Sequence, residues 1–250
     1  MAQVVVDGLM TNYVSVGKGK TVVMLHGWGD TSSTFAGLTA ELSKKYKVIA
    51  VDLPGFGKTQ APGQAWTLDD YAAFVGTFLS KISVKPYTLV GHSNGGAIAI
   101  RALSSHVIST DRLVLLASAG IRGQYNGRNK VLRMVAKTGK LLTKPLPRSV
   151  QKRLRTKMYQ TVGSDMLVAE HLQETFKNIV SDDVRAEAAT IQVKTLLVYG
   201  NNDSATPPSY GHMLKDQLPH GTLHIIKDAG HFVHHDSQIQ VTDYIMEFLS

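Results

Sequence analysis

Apolar positions along the 250-residue chain fall in short continuous runs, and amphipathic stretches separate them. The runs Thr21–His26, Lys47–Leu53, Tyr87–Gly91, Leu113–Ser118, Lys194–Gly200 and Thr222–Ile226 read as strands, with Val14–Val16 closing a first hairpin. Helical periodicity appears at Thr34–Lys45, Leu68–Ile82, Gly95–Ser105, Tyr210–Gln217 and Ile239–Leu249. Thr67-Leu68-Asp69-Asp70 is a capping box at the start of the second helix. The later strands are apolar throughout rather than alternating, as in a parallel sheet covered on both faces. Such strand–helix alternation predicts an α/β protein with a doubly wound, mostly parallel sheet.

The alternation breaks once. From Gly120 to about Thr190 the pattern is amphipathic and helical, interrupted at Lys144-Pro145-Leu146-Pro147, and strand character resumes at Val193. The expected organisation is therefore a core of residues 1–120 and 191–250 with an inserted helical cap, 121–190, over the carboxyl ends of the strands. Apolar content of 43% and charged content of 18% suit a globular chain able to bury a sizeable core. The absence of cysteine excludes disulfides, thiol catalysis and cysteine-ligated metals. The amino-terminal residues lack a basic n-region, and no apolar run has transmembrane length, so a cytoplasmic protein without a transmembrane segment is expected.

Gly91-His92-Ser93-Asn94-Gly95 joins a strand to a helix, which makes Ser93 a nucleophile-elbow serine. The turn is sharp enough that its neighbours must be small. A serine hydroxyl needs a general base at neutral pH, and that base needs an orienting carboxylate. In the order Ser, acid, His, the acid is Asp203, just past the Lys194–Gly200 strand, and the base is His231, after Asp228-Ala229-Gly230. His224 lies mid-strand, His234 and His235 lie beyond the turn, and Asp228 is the rival acid, read as lining the loop. The His231-x-x-His234-His235-Asp236 run has no second ligand cluster to match it, so no metal is assigned. The oxyanion-hole amides are assigned to Asn94, after the nucleophile, and Trp28, in the turn His26-Gly27-Trp28-Gly29. His26 is read as tying that turn together, and Trp28 also as a wall of the acyl pocket. Gly57-Lys58-Thr59 is not the end of a phosphate-binding loop. Asp52 stands where the first glycine is required, and Pro54 removes a needed amide.

Taken in order, His26-Gly27-Trp28-Gly29, Asp52-Leu53-Pro54-Gly55-Phe56-Gly57, the elbow, Asp203 and Gly230-His231 resemble the α/β-hydrolase superfamily from about Thr21 to the carboxyl end. Within it the chain is similar to small capped carboxylesterases such as the pimeloyl-carrier-protein methyl esterases. Those carry tryptophan where this chain has His92, so their specific function does not carry over. Relatives with aspartate at the elbow, the epoxide hydrolases and haloalkane dehalogenases, are disfavoured by Ser93.

The expected activity is a serine carboxylesterase acting on small to medium acyl substrates without a cofactor. The same triad also serves lactonases, thioesterases and C–C bond hydrolases, and the scaffold serves non-hydrolytic receptors and lyases. The formal charge of +8 adds a second question. Twelve basic residues and no acidic ones lie between Ile121 and Lys157, while the remainder holds 15 basic and 19 acidic residues. These charges are either solvated helix faces or a landing pad for an anionic partner, such as an acyl carrier protein or an anionic lipid surface. Aromatic interleaving is sparse, so no nucleic-acid partner is expected.

Overall fold

The computed structural model describes residues 1–122 and 170–250. The chain divides into two compact units, Met1–Ile121 with Glu174–Ser250, and Arg122–Gln173. Most of the expected 121–190 cap, and all of its basic residues from Arg128 to Lys157, lie outside the described residues. In the second unit the described part includes one 3-10 turn, Glu170–Leu172.

The larger unit is built on eight strands: β1 (Ala2–Val6), β2 (Leu9–Val16), β3 (Thr21–Leu25), β4 (Lys47–Val51), β5 (Thr88–His92), β6 (Arg112–Leu116), β7 (Lys194–Gly200) and β8 (Gly221–Ile226). They form one sheet in the order β1-β2-β4-β3-β5-β6-β7-β8. Every pair from β4 onward in that order is parallel, while β1–β2 and β2–β4 are antiparallel. The doubly wound, mostly parallel sheet is therefore present. The opening hairpin is longer than Val14–Val16 suggested, because Asp7 and Gly8 both take positive φ (48° and 81°) and turn β1 tightly into β2. Such mirror-image turns match strand twist, and Asp-Gly is their sequence signal.

Eight α-helices lie among the described residues: α1 (Ala36–Leu42), α2 (Leu68–Lys81), α3 (Asn94–Ser104), α4 (Gln173–Val180), α5 (Arg185–Ala188), α6 (Pro208–Gln217), α7 (Val233–Asp236) and α8 (Gln238–Leu249). The helix expected from Thr34 begins instead as a 3-10 turn, Ser32–Phe35, capped by the Thr31 hydroxyl. At α2 the capping box forms as written, with Thr67 and Asp70 each accepting the other's amide. Alternate strand residues divide between two layers. Val22, Met24, Val48, Ala50, Val114, Leu116, Leu196 and Val198 join Leu38 and Leu42 of α1 and Val241, Ile245 and Leu249 of α8 in one buried cluster. The intervening residues, such as Val23, Leu25, Leu113 and Leu115, are fully buried as well, so the opposite face is covered too. On that side Arg101 of α3 pairs with Asp69 at 2.9 Å, Asp182 at 3.0 Å and Glu187 at 3.1 Å, fastening α5 and the segment before it to α2 and α3.

Parallel pairing has one consequence for function. It puts the carboxyl ends of β3, β5, β7 and β8 on a single edge, so the turns after Leu25, His92, Gly200 and Ile226 emerge together. The approach of α3 to β3 depends on Gly95, where a Cβ would overlap the carbonyl oxygen of Leu25 and lie 2.7 Å from that of His26. Both obstacles are main chain and cannot swing aside. Gly95→Ala should therefore cost about 3 kcal/mol, read as a lower urea midpoint with an unchanged slope. An unshifted midpoint would refute this packing.

Candidate active site

Ser93 follows β5 with φ 51° and ψ −118°, outside the regions comfortable for a residue with a side chain. Strain of this kind costs about 1–3 kcal/mol and must be held by its surroundings. Here the Ser93 amide donates to Leu116 O at 3.0 Å, and its carbonyl accepts from Gly96 N at 3.0 Å and Ala119 N at 2.9 Å. A Cβ on Gly91 would stand 2.5 Å from the Gly95 carbonyl oxygen, and one on Gly96 would overlap the Ser118 hydroxyl. The small residues thus let α3 start directly against the sheet. Asn94 is its first residue.

The loops after β7 and β8 deliver the other two side chains. His231 Nε2 lies 3.0 Å from Ser93 Oγ, and His231 Nδ1 lies 2.8 Å from Asp203 Oδ2. The Asp203 side chain is wholly buried, and its second oxygen accepts from the amides of Ala205 at 2.8 Å and Thr206 at 2.9 Å. Burial alone would raise the Asp203 pKa. Hydrogen bonds from His231 and Thr206 outweigh it and hold the carboxyl below its ordinary value. An ionised carboxylate only accepts, so Nδ1 of the neutral ring carries the proton. That leaves the Nε2 lone pair facing the Ser93 hydroxyl, which is the tautomer a general base requires.

The turn expected to supply the oxyanion donor lies against the nucleophile. A Cβ on Gly27 would stand 3.1 Å from Ser93 Cβ. His26 is fully buried and braces this turn: Nδ1–H donates to Gly27 O at 2.7 Å, and Nε2 accepts from Leu53 N at 2.9 Å. Burial keeps its pKa below the ordinary value, so the bracing ring stays neutral. The next side chain, Trp28, packs against Phe56 and Phe176 with ring centroids 4.9 and 5.1 Å away. The Asp52–Thr59 segment folds around its own carboxylate. Asp52 accepts from Ser32 N at 2.8 Å, Asn12 Nδ2 at 2.9 Å and Lys58 N at 3.0 Å.

The other candidates lie apart from this chain of contacts. His224 sits mid-strand in β8, stacked on Tyr244 at 4.1 Å. Asp228 is exposed, and its amide donates to Asn201 Oδ1 at 2.7 Å. His235 Nε2 lies 2.6 Å from Thr34 O. His234 does not simply trail past the turn. It is 2% exposed in α7, with its ring 4.6 Å from that of His92. Among the described residues no group of three or more His, Cys, Asp or Glu could hold a metal ion.

Residues 22–243 match the model of the alpha/beta hydrolase family. The chain belongs to that family. It is 25% identical over 265 residues to a 2-hydroxy-6-oxo-2,4-heptadienoate hydrolase of Pseudomonas putida, covering 99% of this chain and 95% of that protein. Among solved structures it is similar to an enol-lactonase from Burkholderia xenovorans, with TM-score 0.76, 21% identity, and 99% of each chain covered. It is also similar to an esterase from Exiguobacterium antarcticum, with TM-score 0.75, 22% identity, 97% of this chain and 96% of that one. The eight-stranded sheet is thus that of an alpha/beta hydrolase. The specific likeness to pimeloyl-carrier-protein methyl esterases finds no support beyond the superfamily.

Two residues of this alpha/beta hydrolase escaped sequence reasoning. Thr206 Oγ lies 2.7 Å from Asp203 Oδ2, 2.9 Å from Ala117 O and 3.1 Å from His231 Nδ1. The Asp203-x-x-Thr206 spacing signals a side chain that bonds forward to its own turn. His92 stood in plain view beside Ser93 but carried no recognisable role. No helix among the described residues is long and apolar enough to cross a membrane.

Proposed function

We propose that this alpha/beta hydrolase is a serine carboxylesterase acting on small to medium acyl esters through an acyl-enzyme intermediate. The unbroken contact chain Ser93 Oγ–His231 Nε2 (3.0 Å) and His231 Nδ1–Asp203 Oδ2 (2.8 Å) carries this reading. His231 takes the hydroxyl proton as Ser93 Oγ attacks the ester carbonyl. The amides of Asn94 and Trp28 stabilise the tetrahedral oxyanion. His231 then protonates the departing alcohol. In the second half, water loses a proton to the same imidazole and releases the acid, while Asp203 stabilises the imidazolium. These steps need no cofactor.

A second reading keeps the triad and changes the bond. The relatives' names favour it, since one is a 2-hydroxy-6-oxo-2,4-heptadienoate hydrolase and another an enol-lactonase. A panel of p-nitrophenyl esters from acetate to palmitate, with lactones and a 2-hydroxy-6-oxo-dienoate alongside, separates the two. Turnover of the dienoate with none of the esters would replace the carboxylesterase reading.

The basic run from Arg122 to Lys157 supports a further part of the proposal, an anionic partner such as an acidic acyl carrier protein or an anionic lipid surface. Raising salt from 0.05 to 0.5 M should then cut turnover of a carrier-bound acyl substrate about tenfold, leaving p-nitrophenyl acetate nearly unaffected. Equal salt sensitivity for the two would remove the partner.

A further inference from the structure

His92 occupies the last position of β5, paired with Leu116 of β6, one residue before the nucleophile. It is 1% exposed. Its Nε2 lies 3.0 Å from the main-chain carbonyl oxygen of His231. A carbonyl only accepts, so this nitrogen carries the ring proton and donates it. The other nitrogen, Nδ1, has no hydrogen-bond partner and lies next to Gly27, where a Cβ would stand 3.1 Å from it. One ring therefore touches all three parts of the site: the strand of the nucleophile, the turn beside it, and the loop of the base. Burial, reinforced by the neighbouring His231, pushes its pKa down to about 3. The neutral donor form thus persists through the neutral range.

The remaining supports of the His231 loop come from elsewhere. Asn202 N donates to Ala229 O at 2.9 Å, Asp228 N to Asn201 Oδ1 at 2.7 Å, and Gly230 N to Asp236 Oδ2 at 2.7 Å. These bonds fix the loop to β7's outgoing turn and to α7, not to Ser93. Asp203 steadies the His231 ring from its far side. The His92 bond is what references the His231 main chain to the strand that bears the nucleophile.

We propose that His92 is a positioning residue, whose Nε2–H holds the His231 carbonyl against the elbow and so sets the gap between base nitrogen and Ser93 Oγ. Its kinetic consequence rests on the serine-hydrolase reading above, while the bond itself does not. A misplacement near 1 Å can cost about 100-fold in rate. His92→Phe keeps a ring and removes the donor, whereas His92→Gln keeps an N–H of similar reach. The phenylalanine variant should lose about 10- to 100-fold in kcat on p-nitrophenyl acetate, with KM within about twofold and most of the loss recovered by glutamine. Wild-type kcat in His92→Phe, or a loss carried by KM alone, overturns the proposal. Nitrogen-15 NMR of the wild-type histidines decides the matter even should the phenylalanine variant fail to fold. A neutral Nε2–H ring at His92 with a slowly exchanging proton at pH 5 supports it, and an Nδ1–H or charged ring overturns it. Should Ser93→Ala retain turnover, the serine-hydrolase reading falls, yet the NMR signature still tests the bond.

Discussion

Alanine at position 93 should lower kcat on p-nitrophenyl acetate by about 10⁵- to 10⁶-fold, because the attacking atom itself is removed. The fold should tolerate the change. Alanine has the same backbone limits as serine at φ 51°, and the amide and carbonyl bonds that hold the elbow belong to the main chain. The melting temperature should therefore stay within a few degrees of wild type while fluorophosphonate labelling disappears. Asp203→Asn should cost about 10⁴-fold through a different route. The Thr206 and Ala205 amides demand an acceptor, which turns the new NH₂ toward His231 Nδ1. That ring then presents a proton, not a lone pair, to Ser93. Stopped assays at fixed protein concentration check both variants. A Ser93→Ala enzyme at wild-type rate would overturn the assignment of the nucleophile.

Acid should unfold the protein well above the pH at which carboxylates alone would do so. His92 and His234 are buried neutral, with pKa values pushed down to about 3 and about 2 from an ordinary 6.5. Burial is the main cause for both. For His234 the charges of His92, His235 and His231 add to it, while its Nε2 faces the Thr34 hydroxyl at 3.1 Å. The sign follows from proton counting. Between the folded and ordinary values the unfolded chain binds more protons, so stability falls as pH drops below 6.5 and levels only beneath the folded values. At pH 4.5 each ring withholds roughly 2–3 kcal/mol, together comparable to the whole stability of a marginal domain. His26, also lowered by burial, acts in the same direction. Asp52 and Asp203, held below 3.8, give up their own contribution only as pH falls further. Circular-dichroism melts from pH 7.5 to 4 should show a steep decline in melting temperature below about pH 6. A flat profile between pH 7 and 5 would contradict buried neutral rings. His234→Phe, placed beside Phe35 at 5.3 Å, should move the acid midpoint down by ~0.5 pH unit even if neutral stability drops.

Much of the site was legible along the chain. The glycines at 91, 95 and 96 mark the elbow because the constraint there is local: a turn this tight has no room for side chains within five residues. Apolar runs located β7 and β8, and parallel pairing makes any residue just past their carboxyl ends a neighbour of Ser93. Period-2 and period-3.6 patterns are short-range consequences of backbone geometry, so the order of strands and helices followed from them. The Asp7-Gly8 hairpin turn is an equally local signal.

What the chain by itself determined, then, was the class of fold, the edge on which chemistry is placed, and the residue types that reach that edge. Tertiary structure alone decided that His234 is sealed in the core, and that His92 bonds the base's main chain across 139 positions. The physical reason is range. Steric and periodic rules act over a few residues. Contacts between distant loops depend on sheet register and on the direction each loop takes from its strand, and no local pattern encodes either.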